Sequence, residues 1–156
     1  MPRSTVSAIP AASPSRWLFA FLSGFLATLV FHQLTLAALW GAGIAPMGPF
    51  PMAPTRPFGV PAVISLACWG GVWGAAYGML DRRFPRGGGY WVAAFLFGAI
   101  LPSLVALLVV LPLKGRPAGG GWGAPLLATA FLVNGAWGVG TGLFLRWFDL
   151  WRRAKA

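Results

Sequence analysis

One histidine, one cysteine and two acidic residues are the whole stock of His, Cys, Asp and Glu in 156 positions. They are His32, Cys68, Asp81 and Asp149, widely separated along the chain. Structural zinc needs four ligands, and a lone histidine has no second ring with which to share a metal. Haem held by one His32 from each of two chains would announce itself by a Soret band. Met47 and Met52 are two thioethers without a clustered third soft ligand. Asp81 and Asp149 stand among arginines, where ion pairing accounts for them. No paired carboxylates, no Ser/His/acid set and no glycine-rich phosphate loop after a strand occur, so the reading is non-enzymatic, with no cofactor.

The elements that carry these residues follow from composition. The chain is 58% hydrophobic and 9% charged, with a mean hydropathy of +0.74. A water-soluble domain of this size could not bury so much apolar surface. Charges interrupt the sequence only near 3, 16, 56, 81–86, 114–116 and 146–155. The runs between them each exceed the ~20 residues that a helix needs to cross a bilayer. They predict an all-α integral membrane protein with spans at 17–40, 60–80, 90–113 and 125–145. A spanning β-barrel would need alternating strands, whereas these runs are apolar on every side. Residues 1–16 read as a disordered cytoplasmic segment, and 17–156 as one four-span membrane domain with an outer loop at 41–59 and a tail at 146–156.

The net charge of +10 would suggest nucleic acid in a soluble protein, but here the cations flank apolar spans. Anionic lipid headgroups are the expected partner, met by Arg82, Arg83, Arg86, Arg146, Arg152 and Arg153; nucleic acid is not. With the N-terminus inside, the short cytoplasmic segments hold nine of the twelve basic residues and the outer loops only Arg56, Lys114 and Arg116. That bias places both termini in the cytoplasm. The first apolar run is too long for a signal-peptide core and reads as a retained span. A lysine-poor, Arg/Ala/Gly/Pro-rich composition suggests a bacterial inner membrane.

Two stretches recur. "WLFAFLSG" at 17–24 shares five of eight residues with "WVAAFLFG" at 91–98, and "GVWGAAYGMLDRRF" at 71–84 shares six of fourteen with "GAWGVGTGLFLRWF" at 135–148. The expected arrangement is two similar helical hairpins in parallel repeat, which makes spans two and four parallel. Gly70, Gly74 and Gly78 recur every four residues, flanked by Gly71; Gly135, Gly138 and Gly142 accompany Asn134 on the equivalent stretch. Small residues at this spacing let helix backbones approach. They predict close packing of span two on span four.

His32, Cys68 and Asn134 each lie about 12–14 Å below the outer boundary at 1.5 Å per residue, with Gln33 and Ser103 at comparable depth. Polar groups at that depth face the bundle interior, so these five predict a hydrogen-bonded cluster between helices. The six prolines of 45–61 make the outer loop an extended strap, with Phe50, Arg56 and Phe58 able to contact a partner or cover the bundle. The tail "LRWFDLWRRAKA" extends the last helix along the inner interface. Two functions fit: a structural or interaction subunit that docks on itself or on a larger membrane complex, or a small transporter or channel lined by the five polar residues.

Overall fold

A computed structural model of the chain describes residues 14–155. The expectation for the first 13 residues lies outside that range; Ser15 and Arg16 are already helical. Four helices are long and apolar enough to cross a membrane. We number them α1 (Ser15–Gly41), α2 (Ala62–Leu80, closed by a 3-10 turn at Asp81–Arg83), α3 (Gly88–Leu113) and α4 (Ala124–Arg153). The expected spans fall on these four helices, and the tail continues α4 without a break as far as Arg153.

Helix limits follow local chemistry. α2 starts directly after Pro61, whose extended backbone ends the preceding loop. Gly87, at φ 64°, reverses the chain before α3, a backbone that side-chain-bearing residues rarely adopt. α4 opens with Pro125 in its first turn, where a missing amide costs nothing. Two π-helical turns, Thr28–His32 and Ala106–Val110, interrupt α1 and α3. The second begins four residues after Pro102, where the proline ring and its absent N–H already weaken the helical ladder.

The backbones pack in the series α2, α1, α4, α3. α1 lies against α2 and α4, and α4 lies against α3. α2 and α3 meet through aromatic side chains: Trp73 and Tyr77 of α2 set their rings edge-on to Phe97 of α3, at centroid distances of 6.4 and 5.3 Å. The buried core is Ala20, Ala27, Tyr77, Tyr90, Ala94, Phe97, Trp137 and Leu145. Large apolar residues such as Leu34, Trp69, Val92 and Leu143 point outward. In water that would be a liability; in lipid it is the solvated surface.

The expected packing of span two on span four is corrected here. α2 and α4 approach each other at only a few positions, far fewer than either makes with its own hairpin partner. The glycines instead close each helix on its own hairpin partner. A Cβ at Gly74 would fall 2.8 Å from Gly24 Cα in α1, and one at Gly138 would fall 3.2 Å from Gly98 Cα in α3. Gly70 faces Thr28 and Gly78 faces Ala20, while Gly71 and Gly135 lie beneath the rings of Phe21 and Phe95. Gly142 alone of the set reaches across, to the hydroxyls of Tyr77 and Tyr90. The physical reason is connectivity plus size: a loop brings antiparallel neighbours together, and Gly24 and Gly98 supply the second bare backbone that a glycine-to-glycine contact requires.

Polar side chains inside the helices are satisfied locally. The hydroxyls of Ser23, Thr28, Thr129 and Thr141 each donate to the carbonyl four residues earlier. Among the described residues, no buried side-chain nitrogen or oxygen lacks a hydrogen-bond partner.

Candidate functional site

The five polar residues expected to cluster occupy three separate places. Asn134 Nδ2 donates to Ser103 Oγ at 3.0 Å, and Ser103 Oγ donates to the Ala130 carbonyl at 2.9 Å, tying α3 to α4. Gln33 is fully buried on α1; its Nε2 donates to His32 Nδ1 at 3.3 Å and its Oε1 accepts the Phe50 backbone amide at 2.6 Å. Cys68 departs from the expectation altogether, since it is exposed on the outer side of α2. Depth along a helix follows from residue count, but the direction around it does not. A thiol is apolar enough to face lipid without a partner.

Gln33 therefore acts on the loop rather than on a path through the bundle. It pins the strap at Phe50, which adopts φ 50°, a backbone that bulky side chains seldom take. Nearby Ala45 is buried against Leu36 and Val133, so the proline-rich segment is folded onto the bundle. It is not extended throughout: Pro54–Thr55 (β1) and Val60–Pro61 (β2) pair as a short antiparallel ladder. Gln33→Leu leaves the Phe50 amide without its acceptor. The expected result is faster hydrogen exchange at Phe50 by about fivefold, the equivalent of the ~1 kcal/mol of one hydrogen bond, with exchange in α3 and α4 unchanged. Unaltered exchange at Phe50 would show that Gln33 does not hold the strap.

At the opposite end the charges converge. Arg16 Nη2 donates to Asp81 Oδ1 at 2.6 Å and to the Gly78 carbonyl at 3.2 Å, and Arg16 Nη1 lies 3.9 Å from Asp149 Oδ2. One guanidinium on α1 thus gathers both acids of the chain, from the end of α2 and from α4. Beside it, Tyr77 Oη donates to Tyr90 Oη at 3.0 Å. Arg146 lays its guanidinium 3.6 Å over the Tyr90 ring and 5.0 Å from the Trp91 ring, and Arg152 covers Phe19 at 5.4 Å. Arg82, Arg83, Arg86, Arg146, Arg152 and Arg153 have no carboxylate partner among the described residues.

Four residues of these sites escape sequence reasoning: Arg16, Tyr77, Tyr90 and Trp137. Arg16 is read there as part of a disordered leader, although it is the nearest cation preceding the first span. Tyr77 and Tyr90 are the chain's two tyrosines and flank the short loop between α2 and α3, a placement that could have suggested a paired contact. Trp137 reads as one of nine tryptophans, yet its Nε1 donates to the Gly24 carbonyl at 2.9 Å and joins the second hairpin to the first.

A third feature lies outside the bundle. A cleft of about 320 Å³ runs along the exposed side of α2, from Val72 and Phe21 past Trp69 and Cys68 to Arg56 and Phe58 of the strap. Among the described residues, no group of three or more His, Cys, Asp or Glu side chains could hold a metal ion.

Comparison with protein-family models, with curated proteins and with solved structures finds no match to this chain. The class is defined by the architecture: four apolar, membrane-length helices make this a multi-pass membrane protein.

Proposed function

We propose that this chain is a non-enzymatic structural or interaction subunit of a membrane assembly, docking through its outer surface on further copies of itself or on a larger complex. One observation carries the reading: the interior is closed. Glycine backbones meet at both hairpins, aromatic rings fill the space between α2 and α3, and every buried polar side chain among the described residues is already satisfied. A solute path needs polar groups with unspent hydrogen-bonding capacity along a continuous opening. Here Ser103 Oγ, Asn134 Nδ2, both amide atoms of Gln33 and His32 Nδ1 are engaged with one another or with backbone.

Two hairpins derived from one ancestral unit belong to the same proposal. At the sequence offsets of the repeated stretches, Gly24 against Gly74 corresponds to Gly98 against Gly138, and Phe21 over Gly71 corresponds to Phe95 over Gly135. These matched contacts support duplication of one small-residue packing face. The unmatched groups are the specialised ones: His32 corresponds to Ala106, and Gly70 to Asn134. The excess of arginine at one end supports cytoplasmic termini on anionic headgroups, and the composition favours a bacterial inner membrane.

Native mass spectrometry from mild detergent, paired with flux assays in proteoliposomes, tests the role. The expected result is a defined stoichiometric assembly and no solute flux above that of empty vesicles. A lone homo-oligomer that passes ions or small solutes would overturn it in favour of a channel or transporter.

A further inference from the structure

From the cleft on α2 we infer a binding site for a lipid with an anionic headgroup, its acyl chain along Trp69 and Val72 and its phosphate at Arg56. The site goes beyond the docking role and does not depend on it.

The floor of the cleft is made by the hairpin packing itself. The Phe21 ring fills the space that the missing side chain of Gly71 leaves, and with Val72 it lines the inner end of the cleft. From Val72 the cleft continues past Trp69, Cys68 and Ser65 to Val60 of β2, two residues before α2 begins. From Val72 to Ala62, where α2 begins, the helix rises about 15 Å. That span matches one leaflet of a hydrocarbon core about 30 Å thick. The lining is almost wholly apolar, so a free phosphate or a soluble anion gains nothing along it.

The mouth has the opposite character. Arg56 and Thr55 line it, with Phe58 beside them at 87% exposure. Arg56 is the one cation lining this cleft. Both acids of the chain are bound to Arg16 at the far end of the bundle, so no carboxylate competes for it. An open apolar groove of about one-leaflet length, capped by a guanidinium that has no carboxylate partner among the described residues, is complementary to a phospholipid of negative net charge; the Thr55 hydroxyl beside it already donates to the Val60 carbonyl. The groove does not fit a helix of a second copy, which would have to bring its own anion past Arg56.

Cys68, the chain's single cysteine, lines the cleft and gives a reporter without mutation. The full chain is labelled there with a bimane fluorophore and reconstituted in phosphatidylcholine vesicles. Quenching is then titrated with brominated-chain phosphatidylglycerol or brominated-chain phosphatidylcholine. The expected half-quenching fraction for the anionic lipid is about fivefold lower than for the neutral one, the effect of one arginine beside an anionic headgroup. Arg56→Gln, at an exposed loop position, equalises the two lipids while leaving the far-UV spectrum unchanged. Arg116→Gln, on the other loop at this end, leaves the preference intact, and inorganic phosphate does not relieve quenching. Equal quenching by the two lipids in the native sequence overturns the site. So does a preference that survives Arg56→Gln, or a label protected from both lipids by contact with a second copy.

Discussion

Replacing Gly74 or Gly138 by leucine separates α1 from α2 or α3 from α4, with loss of the native bundle. A Cβ alone at Gly74 already meets Gly24 Cα at 2.8 Å and its amide nitrogen at 2.9 Å, and at Gly138 it presses on the backbone of Ala94 and Gly98. The opposing atoms are backbone and have no rotamer through which to retreat. Alanine at either position should therefore cost about 1–3 kcal/mol, the usual range for overpacking, despite alanine's better helix propensity. Gly41→Ala is the reference, because nothing lies within 4 Å of a Cβ there. Unfolding of the reconstituted protein in mixed micelles of rising SDS fraction, followed by tryptophan fluorescence, measures all three. If Gly74→Ala and Gly138→Ala unfold with Gly41→Ala, the backbones do not meet as described.

Arg16→Gln should have the second-largest effect, because it removes the only ion-pair partner that either acid has among the described residues. The side chains of Arg16 and Asp81 are 10% and 13% exposed, so the Asp81 carboxylate would be left largely desolvated without a counter-charge. Breaking a fully buried pair costs about 3–5 kcal/mol. Partial exposure at the interface reduces the expectation to about 2 kcal/mol. Arg16→Gln combined with Asp81→Asn should recover at least half of that loss, since an amide and a neutral side chain can still hydrogen-bond. The same SDS titration reads both variants. A double variant no more stable than the single one would mean that Arg16 acts through packing or through the Gly78 carbonyl, and not by neutralising Asp81.

Recovery of the four helices from sequence and failure to recover their pairing have one cause. A bilayer span needs only a long run without charge, and the positions of Arg56, Arg82, Lys114 and Arg146 punctuate the chain accordingly. Such a run is apolar on every side, so it carries no phase: a soluble helix shows its buried face by periodicity, and these do not. Glycine marks a close approach at Gly70, Gly74 and Gly138, yet says nothing about which backbone approaches. The decisive partners, Gly24 and Gly98, are single glycines outside any stripe. For the same reason Cys68 can be assigned a depth from residue count and still turn outward.

The loops divide similarly. Prolines at 46, 49, 51, 54, 57 and 61 exclude a helix there by simple stereochemistry. Which main-chain donors remain, and what they meet, depends on the fold: the Phe50 amide finds Gln33, and the Val63 and Ala62 amides find the carbonyls of Pro51 and Ala53. At the charged end, two acids among many arginines predict ion pairs, but not that both would choose Arg16, which lies 65 positions before Asp81.

Membrane residence, the number of spans and the scarcity of reactive side chains are properties of composition and order along the chain, because transfer into lipid sums over residues wherever they point. Helix pairing, the Arg16 junction with Asp81 and Asp149, the Trp137 link to Gly24 and the cleft along Trp69 and Val72 belong to the tertiary structure. Each depends on the rotation of one helix about its axis relative to another, and only contact between backbones sets that angle when every face is equally apolar.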